Sequence, residues 1–315
     1  MPSLKTLLQL GRVPNVFTAV SNVMAGYLLT HEDLADWPAA LLLVASSALL
    51  YTAGMVLNDV FDVAQDTEQR PRRPIPSGRI SLAAARVLGW SLLIGGTVSG
   101  IVIGVLRGTA MPMLIAVSLA ITIVLYDGPL KRTMLAPVVM GLCRYFNVLL
   151  GMSLVSFELY AWFHPMYNAV AAGVGIYVVG LTWFARTEAE EESGRSGLTG
   201  GMLVMLAGIA LLGYAPRLAD DSLPAYAMPL KQITQAWLWP AMWVLFGFFT
   251  IRRTVPAIVS PTPTLVQFAV KQSIFALVIF DAAIVTAVHG PMPFGIAIVA
   301  LLFPMQILGS YVYST

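Results

Sequence analysis

The chain reads as a succession of long apolar runs broken by short polar stretches. A helix that crosses a bilayer needs roughly 20 mostly apolar residues. Runs of that kind lie near 14–30, 38–57, 84–106, 110–126, 136–156, 166–185, 200–214, 235–250, 267–288 and 294–312. The seventh and eighth are short, and only His289-Gly290-Pro291 divides the last two, so the pattern predicts nine or ten spans. The expected fold is all-α: a polytopic transmembrane helical bundle forming a single integral membrane domain over 1–315, with motif-bearing loops at 58–80 and 186–199.

Composition narrows the class. Of 315 residues, 58% are hydrophobic and 11% charged, and the mean hydropathy is +0.79. A soluble domain carries about 25% charged residues, so that class is excluded, as are disorder, collagen and disulfide scaffolds. Eighteen Lys and Arg against 16 Asp and Glu leave no surplus for tracking nucleic-acid phosphates. The single cysteine, Cys143, cannot form an internal disulfide and reads as an apolar packing residue.

Charge also orients the bundle. With the N-terminus and every second loop on one side, that side holds all the Lys and Arg except Arg107, Arg217 and Lys231. Positive residues mark the cytoplasmic face, so both termini are expected there if the spans number ten. The first apolar run lacks a small-residue cleavage pattern and is followed by His31-Glu32-Asp33, which argues against a removable signal peptide.

Charge in a membrane segment is costly and usually functional, so the chemistry is sought where polar groups interrupt the apolar runs. The densest interruption is NDVFDVAQDTEQRPRRPIPSG, residues 58–78. Asn58, Asp62 and Asp66 recur every four residues, and on a helix they form one stripe drifting about 40° per step, with Asp59 about 100° aside. Carboxylates stacked on one face repel unless a cation lies between them. An oxygen-only set suits hard Mg²⁺ better than Zn²⁺. Arg70, Arg72, Arg73 and Arg79 follow closely. Metal-binding acids beside guanidinium forks are the arrangement that holds a diphosphate. The alternative is a solvated loop in which acids and arginines pair and the arginines mark the cytoplasmic side.

A second acidic run, TWFARTEAEEESGRSG, leaves the sixth span. Glu188 and Glu192 are again four apart, flanked by Glu190, Glu191, Arg186 and Arg195. It reads either as a solvated helix end or as a second cluster facing the first, the two together holding two Mg²⁺ around one diphosphate. Between the runs, Lys131 and Arg132 follow the fourth span, as a topology signal or as phosphate contacts. Arg144 and Asn147 lie three apart in the fifth span, where Arg144 should face a polar cavity. Asn15 and Asn22 share a face of the first span and suit interhelical hydrogen bonds. Asp281, inside the ninth span, requires a partner or a proton, with packing and function both open.

NDVFDVAQD followed by Arg73-Pro74-Ile75-Pro76 resembles the first Asp-rich motif of the UbiA superfamily of intramembrane prenyltransferases. That family's motif has Asn, then Asp at +4 and +8, here Asn58, Asp62 and Asp66. Tyr126 and Lys131 look like its Tyr-to-Lys motif, and Glu188 with Glu192 corresponds best to its second Asp-rich motif. There both aspartates are replaced; the other register, Thr187 with Glu191, loses one acid. The extra methylene of Glu moves the carboxylate by about 1.5 Å, a large step for octahedral Mg²⁺. The run TWFARTEAEE also resembles the UbiA-like branch called EboC.

The resemblance implies a UbiA-like bundle and an Mg²⁺-dependent prenyltransferase whose site faces the cytoplasm. Asn58, Asp62, Asp66, Glu188 and Glu192 would hold metal. Asp62, Asp66, Lys131 and Arg144 would be catalytic. Arg70, Arg73, Lys131 and Arg132 would take phosphate charge, and Asn15, Tyr126 and Asn147 would line the substrate pocket. Phe61, Tyr126, Tyr145, Phe146 and Phe184 are the aromatics expected around an allylic cation. The implied partners are a polyprenyl diphosphate donor, a lipophilic or aromatic acceptor and membrane lipid, with no nucleic acid. A second reading is a non-catalytic relative that binds or transports an isoprenoid or secondary metabolite. A generic transporter fits less well, because these acids sit at the membrane boundary and not at the midplane.

Overall fold

The computed structural model describes residues 2–155, 164–186, 194–219, 237–290 and 293–313. Among these there is no strand. The helices are α1 (Leu4–Leu10), α2 (Val13–Thr30), α3 (Trp37–Phe61), α4 (Val63–Gln69), α5 (Leu82–Arg107), α6 (Met111–Leu125) and α7 (Ala136–Met152). They continue with α8 (Pro165–Arg186), α9 (Gly194–Tyr214), α10 (Leu238–Val259), α11 (Pro263–His289), α12 (Pro293–Ala300) and α13 (Leu302–Tyr313). Proline opens α2, α3, α6, α7 and α11 at the first or second position, where its missing N–H would have no helical acceptor in any case. Ser81 caps α5 through the Ala84 N–H, and Gly108 ends it at φ 65°, in the left-handed region that suits glycine.

Within the described residues, the ten apolar runs coincide with helical stretches. Eight of these are long and apolar enough to cross a bilayer: 37–61, 82–107, 111–130, 165–186, 194–218, 238–259, 263–289 and 293–312. The other two, α2 and α7, carry the polar side chains singled out from sequence: Asn15 and Asn22 on α2, Arg144 and Asn147 on α7. The architecture is therefore the all-α membrane bundle read from the sequence.

Two apolar clusters form the interior. One joins α2, α3, α5, α6 and parts of α7 and α11 through Leu28, Leu43, Leu50, Leu57 and Leu150. The other joins α8, α9 and α10 to the remaining faces of α7 and α11 through Tyr177, Phe184, Met205 and Phe280. A third, smaller cluster of Leu10, Val56, Val60, Ile75, Ile80 and Ala85 seats the loop after α4 against α3 and α5. Lipid tails are as apolar as leucine, so helices in a bilayer associate mainly through close packing, and small residues mark their contacts. At the α2–α7 crossing a Cβ on Gly26 would lie 2.3 Å from the Val148 carbonyl oxygen, and one on Gly151 would lie 2.0 Å from that of Val23. Only glycine fits either position.

Candidate functional site

Helix α3 delivers the first acidic run to the end of the bundle. Asp62 closes the helix at φ −88°, ψ 3°. The Asp62 N–H still bonds the Asn58 carbonyl (3.0 Å), and the Asp66 N–H bonds the Asp62 carbonyl (2.8 Å), so the four-residue step continues into α4. The predicted stripe forms, but its members meet different partners. Asn58 Nδ2 donates to Asp127 Oδ1 at 2.9 Å. Asp62 is ion-paired with Lys131. Asp66 accepts from Arg73 Nη1 at 2.6 Å.

Asn58 and Asp62 are one helical turn apart, and so are Asp127 and Lys131. The two contacts are consecutive rungs between α3 and the segment after α6. That segment, Tyr126–Leu130, is a single π-helical turn with Pro129 inside it. Proline supplies no N–H to an α-helical ladder, and a one-turn π bulge is a common way for a helix to absorb such a residue, often at functional sites.

Asp59, off the stripe, is clasped by two arginines. Its Oδ1 lies 3.0 Å from Arg73 Nη1 and 3.2 Å from Arg12 Nη2. Arg12 stands at φ 44°, the one non-glycine residue at positive φ among the described residues, a backbone state that costs about 1–2 kcal/mol and is retained where surrounding contacts demand it. Arg73 holds two carboxylates whose side chains are 6% and 3% exposed. Removing one partner of such a pair strands buried charge and costs about 3–5 kcal/mol. Arg73→Met is therefore expected to lower the Tm of the detergent-solubilised protein by several degrees. An unchanged Tm would show that Arg12 and Arg70 suffice for Asp59 and Asp66.

Of the rung residues, Asp127 lines a cavity of about 300 Å³; Asn58, bonded to it, and the Asp62–Lys131 pair one turn further along α3 form its rim without lining it. Leu50, Leu119, Ile123, Met140 and Leu277 make its walls apolar; Arg12, Asn15, Tyr51, Tyr126 and Asp127 are among its polar lining. At its floor Arg144 donates to Thr18 Oγ1 (2.8 Å) and Asn22 Oδ1 (3.1 Å), and its guanidinium lies 5.4 Å from the Tyr51 ring centroid. Asn22 passes the network to Asp281 at 2.7 Å, where Ser21 Oγ also donates. Asp281 thus has its polar partners on α2. Asn147 donates to the Ala19 carbonyl at 2.9 Å and accepts from Ser47 at 2.6 Å, tying α7 to α2 and α3 along the cavity wall. A second cavity of about 840 Å³ shares Asn15, Ala185, Val270 and Ile274 with the first and continues past α11 and α13, along Lys271 and Gln306.

Other sequence candidates lie elsewhere. Arg70 has a 58% exposed side chain 3.9 Å from Asp66 and lines a separate outer cleft with Arg72 and Arg79. Arg132 is exposed and is not among the cavity residues. Glu188, Glu190, Glu191 and Glu192 lie outside the described residues. Arg186, just before them, donates to the Thr133 carbonyl at 2.8 Å, beside the Lys131 loop. Of the five aromatics expected around the pocket, only Tyr126 lines it. Phe61 is 44% exposed, Phe184 is fully buried in the second apolar cluster, Tyr145 donates to Asn168 Oδ1 at 2.7 Å, and Phe146 packs in the first cluster. Tyr51, Arg12 and Asp127 were not singled out from sequence. For Asp127 the signal was its place four residues before Lys131; Tyr51 sits in an apolar run and gave none.

The donor set suits a hard cation. Among the described residues no three His, Cys, Asp or Glu side chains converge on one point, and Asp59, Asp62 and Asp66 each face a cationic side chain. Asp127 differs. It is 4% exposed, and its Oδ2 has no hydrogen-bond partner among the described residues. Asn58, Asp62 and Asp127 offer oxygen donors only, the ligand chemistry of Mg²⁺.

The profile of the UbiA prenyltransferase family matches residues 19–198, more than half of the chain. The digeranylgeranylglyceryl phosphate synthase of Saccharolobus solfataricus is 34% identical over 131 residues, 42% of this chain and 45% of that protein. The protein of the same name from Methanoculleus marisnigri is 37% identical over 131 residues, 42% of this chain and 44% of that protein. The chain thus spans less than half the length of these curated relatives. Among solved structures, a UbiA homolog from Archaeoglobus fulgidus bound to GPP and Mg²⁺ superposes with a TM-score of 0.64 at 15% identity, covering 94% of this chain and 99% of that one. The fold is shared.

Proposed function

The chain belongs to the UbiA prenyltransferase family, and we propose on that premise that it transfers an isoprenyl group from a prenyl diphosphate to a lipophilic acceptor within the membrane. The observation that carries this reading is the pair of rungs, Asn58–Asp127 and Asp62–Lys131, at the rim of an apolar cavity. Oxygen donors and an ammonium at the mouth suit a diphosphate with its cation, and the apolar walls suit an isoprenyl chain.

In this reading Asn58 and Asp62 hold Mg²⁺ together with Glu188 and Glu192 of the second run. Bound there, Mg²⁺ supplies charge neutralisation of the leaving diphosphate. Lys131 takes phosphate charge from its place beside Asp62, and Arg12 adds a second cation at the rim. Asp66 keeps Arg73 and the following loop in place. The allylic C–O bond breaks with its electron pair going to the diphosphate. The new bond forms between that allylic carbon and the acceptor's nucleophilic atom, whose proton leaves. The ring faces of Tyr51 and Tyr126 stabilise the developing cation, and the apolar walls keep water from it. The acceptor reaches the cavity from the lipid through the side opening along α11 and α13. The Lys and Arg distribution supports a rim on the cytoplasmic side.

The test is diphosphate release by the purified, detergent-solubilised protein with geranyl, farnesyl or geranylgeranyl diphosphate, Mg²⁺ and a panel of lipid and aromatic acceptors. Release that requires Mg²⁺ and an acceptor is the expected result. Binding of the diphosphates without release across the panel would overturn the reading in favour of a non-catalytic carrier.

A further inference from the structure

Among the described residues, Asp127 is the one acid at the rim whose free oxygen is unmatched. Its Oδ1 accepts a single neutral N–H from Asn58 at 2.9 Å. Its Oδ2 is buried without a hydrogen-bond partner among the described residues, and the residue lines the cavity. The neighbouring ammonium, Lys131, is engaged by Asp62. A buried carboxylate with one neutral donor is costly, and such a group is stable when it meets a cation. Two neighbours set its surroundings. Gly54 lies beside the acid and lines the same cavity: a Cβ there would lie 3.2 Å from Ile123 Cγ2 and 4.0 Å from Asp127 Oδ2. The Asn58 amide is also fixed, because its Nδ2 is turned to Asp127, leaving its Oδ1 as the atom able to ligate.

We propose that Asp127 is a further oxygen ligand of the cation that accompanies the diphosphate, contributed from the π turn opposite Asn58 and Asp62. It rests on the prenyl-diphosphate reading above and adds to it a residue from a third element. Asp127 then has two tasks: Oδ1 orients Asn58, and Oδ2 ligates. The cation would be gripped between α3 and the turn after α6, with Lys131 one step further out along the same pair of segments.

The two tasks separate experimentally. Asp127→Asn keeps an oxygen able to accept from Asn58 but loses the carboxylate; Asp127→Ser is a second variant, smaller and equally uncharged. Mn²⁺, standing in for Mg²⁺, is titrated into the full-length protein in detergent with inorganic pyrophosphate present, and bound Mn²⁺ is read by electron paramagnetic resonance. Both variants are expected to bind Mn²⁺ at least about tenfold more weakly, the lower end of what lost metal-site partners cost, with an unchanged Tm in EDTA. Mn²⁺ affinity within twofold of wild type in either variant overturns the inference and leaves Asp127 as a hydrogen-bond support for Asn58. Asp62→Ala serves as the reference. Wild-type binding that is lost in Asp62→Ala but kept in the Asp127 variants sinks only this proposal. No Mn²⁺ binding by the wild type with pyrophosphate overturns it together with the prenyl-diphosphate reading.

Discussion

Asp62→Ala is expected to reduce Mg²⁺-dependent diphosphate release by two to three orders of magnitude with little change in Tm. Asp62 ends α3 at the cavity rim, its side chain 12% exposed and paired with Lys131. Alanine removes the carboxylate proposed to hold Mg²⁺ and also frees Lys131 from its anchor. Loss of one preorganised group that acts on transition-state charge typically costs about 10²–10³ in rate, and two linked functions are lost here. The helix should survive, because the Asp62 and Asp66 backbone bonds to Asn58 and Asp62 do not use the side chain. Initial rates at saturating donor, with Tm in parallel, check this. A decrease below about tenfold would mean that the first acidic run does not hold the reacting diphosphate. Asp62→Asn refines the test: it should regain part of the rate as Mg²⁺ is raised, since the amide still offers one oxygen.

A large expected effect on stability also lies away from the chemistry. Gly151→Val should prevent α2 and α7 from approaching as they do. A Cβ at 151 would meet the Val23 carbonyl oxygen at 2.0 Å and the Tyr27 nitrogen at 2.9 Å, and both are backbone atoms with no rotamer to move. Overpacking in a well-packed core costs about 1–3 kcal/mol, occasionally more, and backbone against backbone belongs at the upper end. Separation of these helices would also pull Asn147 from the Ala19 carbonyl and Arg144 from Thr18, so the cavity floor would go with it. The expected outcome is a fall in Tm of several degrees with loss of monodispersity in size-exclusion chromatography. Gly95→Ala is the control, since its Cβ would meet only Leu49 Cδ1 at 3.7 Å. Equal Tm values for the two variants would refute the close-packing argument.

Much of the bundle was legible because a membrane span must satisfy its backbone within itself, and so its length and apolarity are written locally. The 58–66 stripe was legible for the same reason: a four-residue repeat is a property of one helix. What could not be read was partnership. Asn58 with Asp127 and Asp62 with Lys131 are each 69 residues apart, a separation no periodicity encodes. Asp59 lies about 100° off the stripe. That placement turned it toward Arg12 and Arg73, where it helps seat the loop. The expected aromatics suffered from the opposite problem. Proximity to a motif along the chain placed Phe61 near the site on paper, yet one helical step turns it to the outside, while Tyr51 reaches the cavity from two turns deeper in α3.

The π turn has a consequence for chain length. A π bulge is what an α-helix becomes when one extra residue is accommodated without unwinding the rest. The five-residue step from Tyr126 to Lys131 is therefore a winding requirement and not a loose linker. Removing Gly128 would shorten that step to four residues and turn Lys131 by about 100° about the helix axis relative to Tyr126. Lys131 would swing away from Asp62 while Tyr126 stayed at the cavity. Asp127 and Lys131 would then no longer meet Asn58 and Asp62 together, so the length of this turn constrains the rim as firmly as its side chains do.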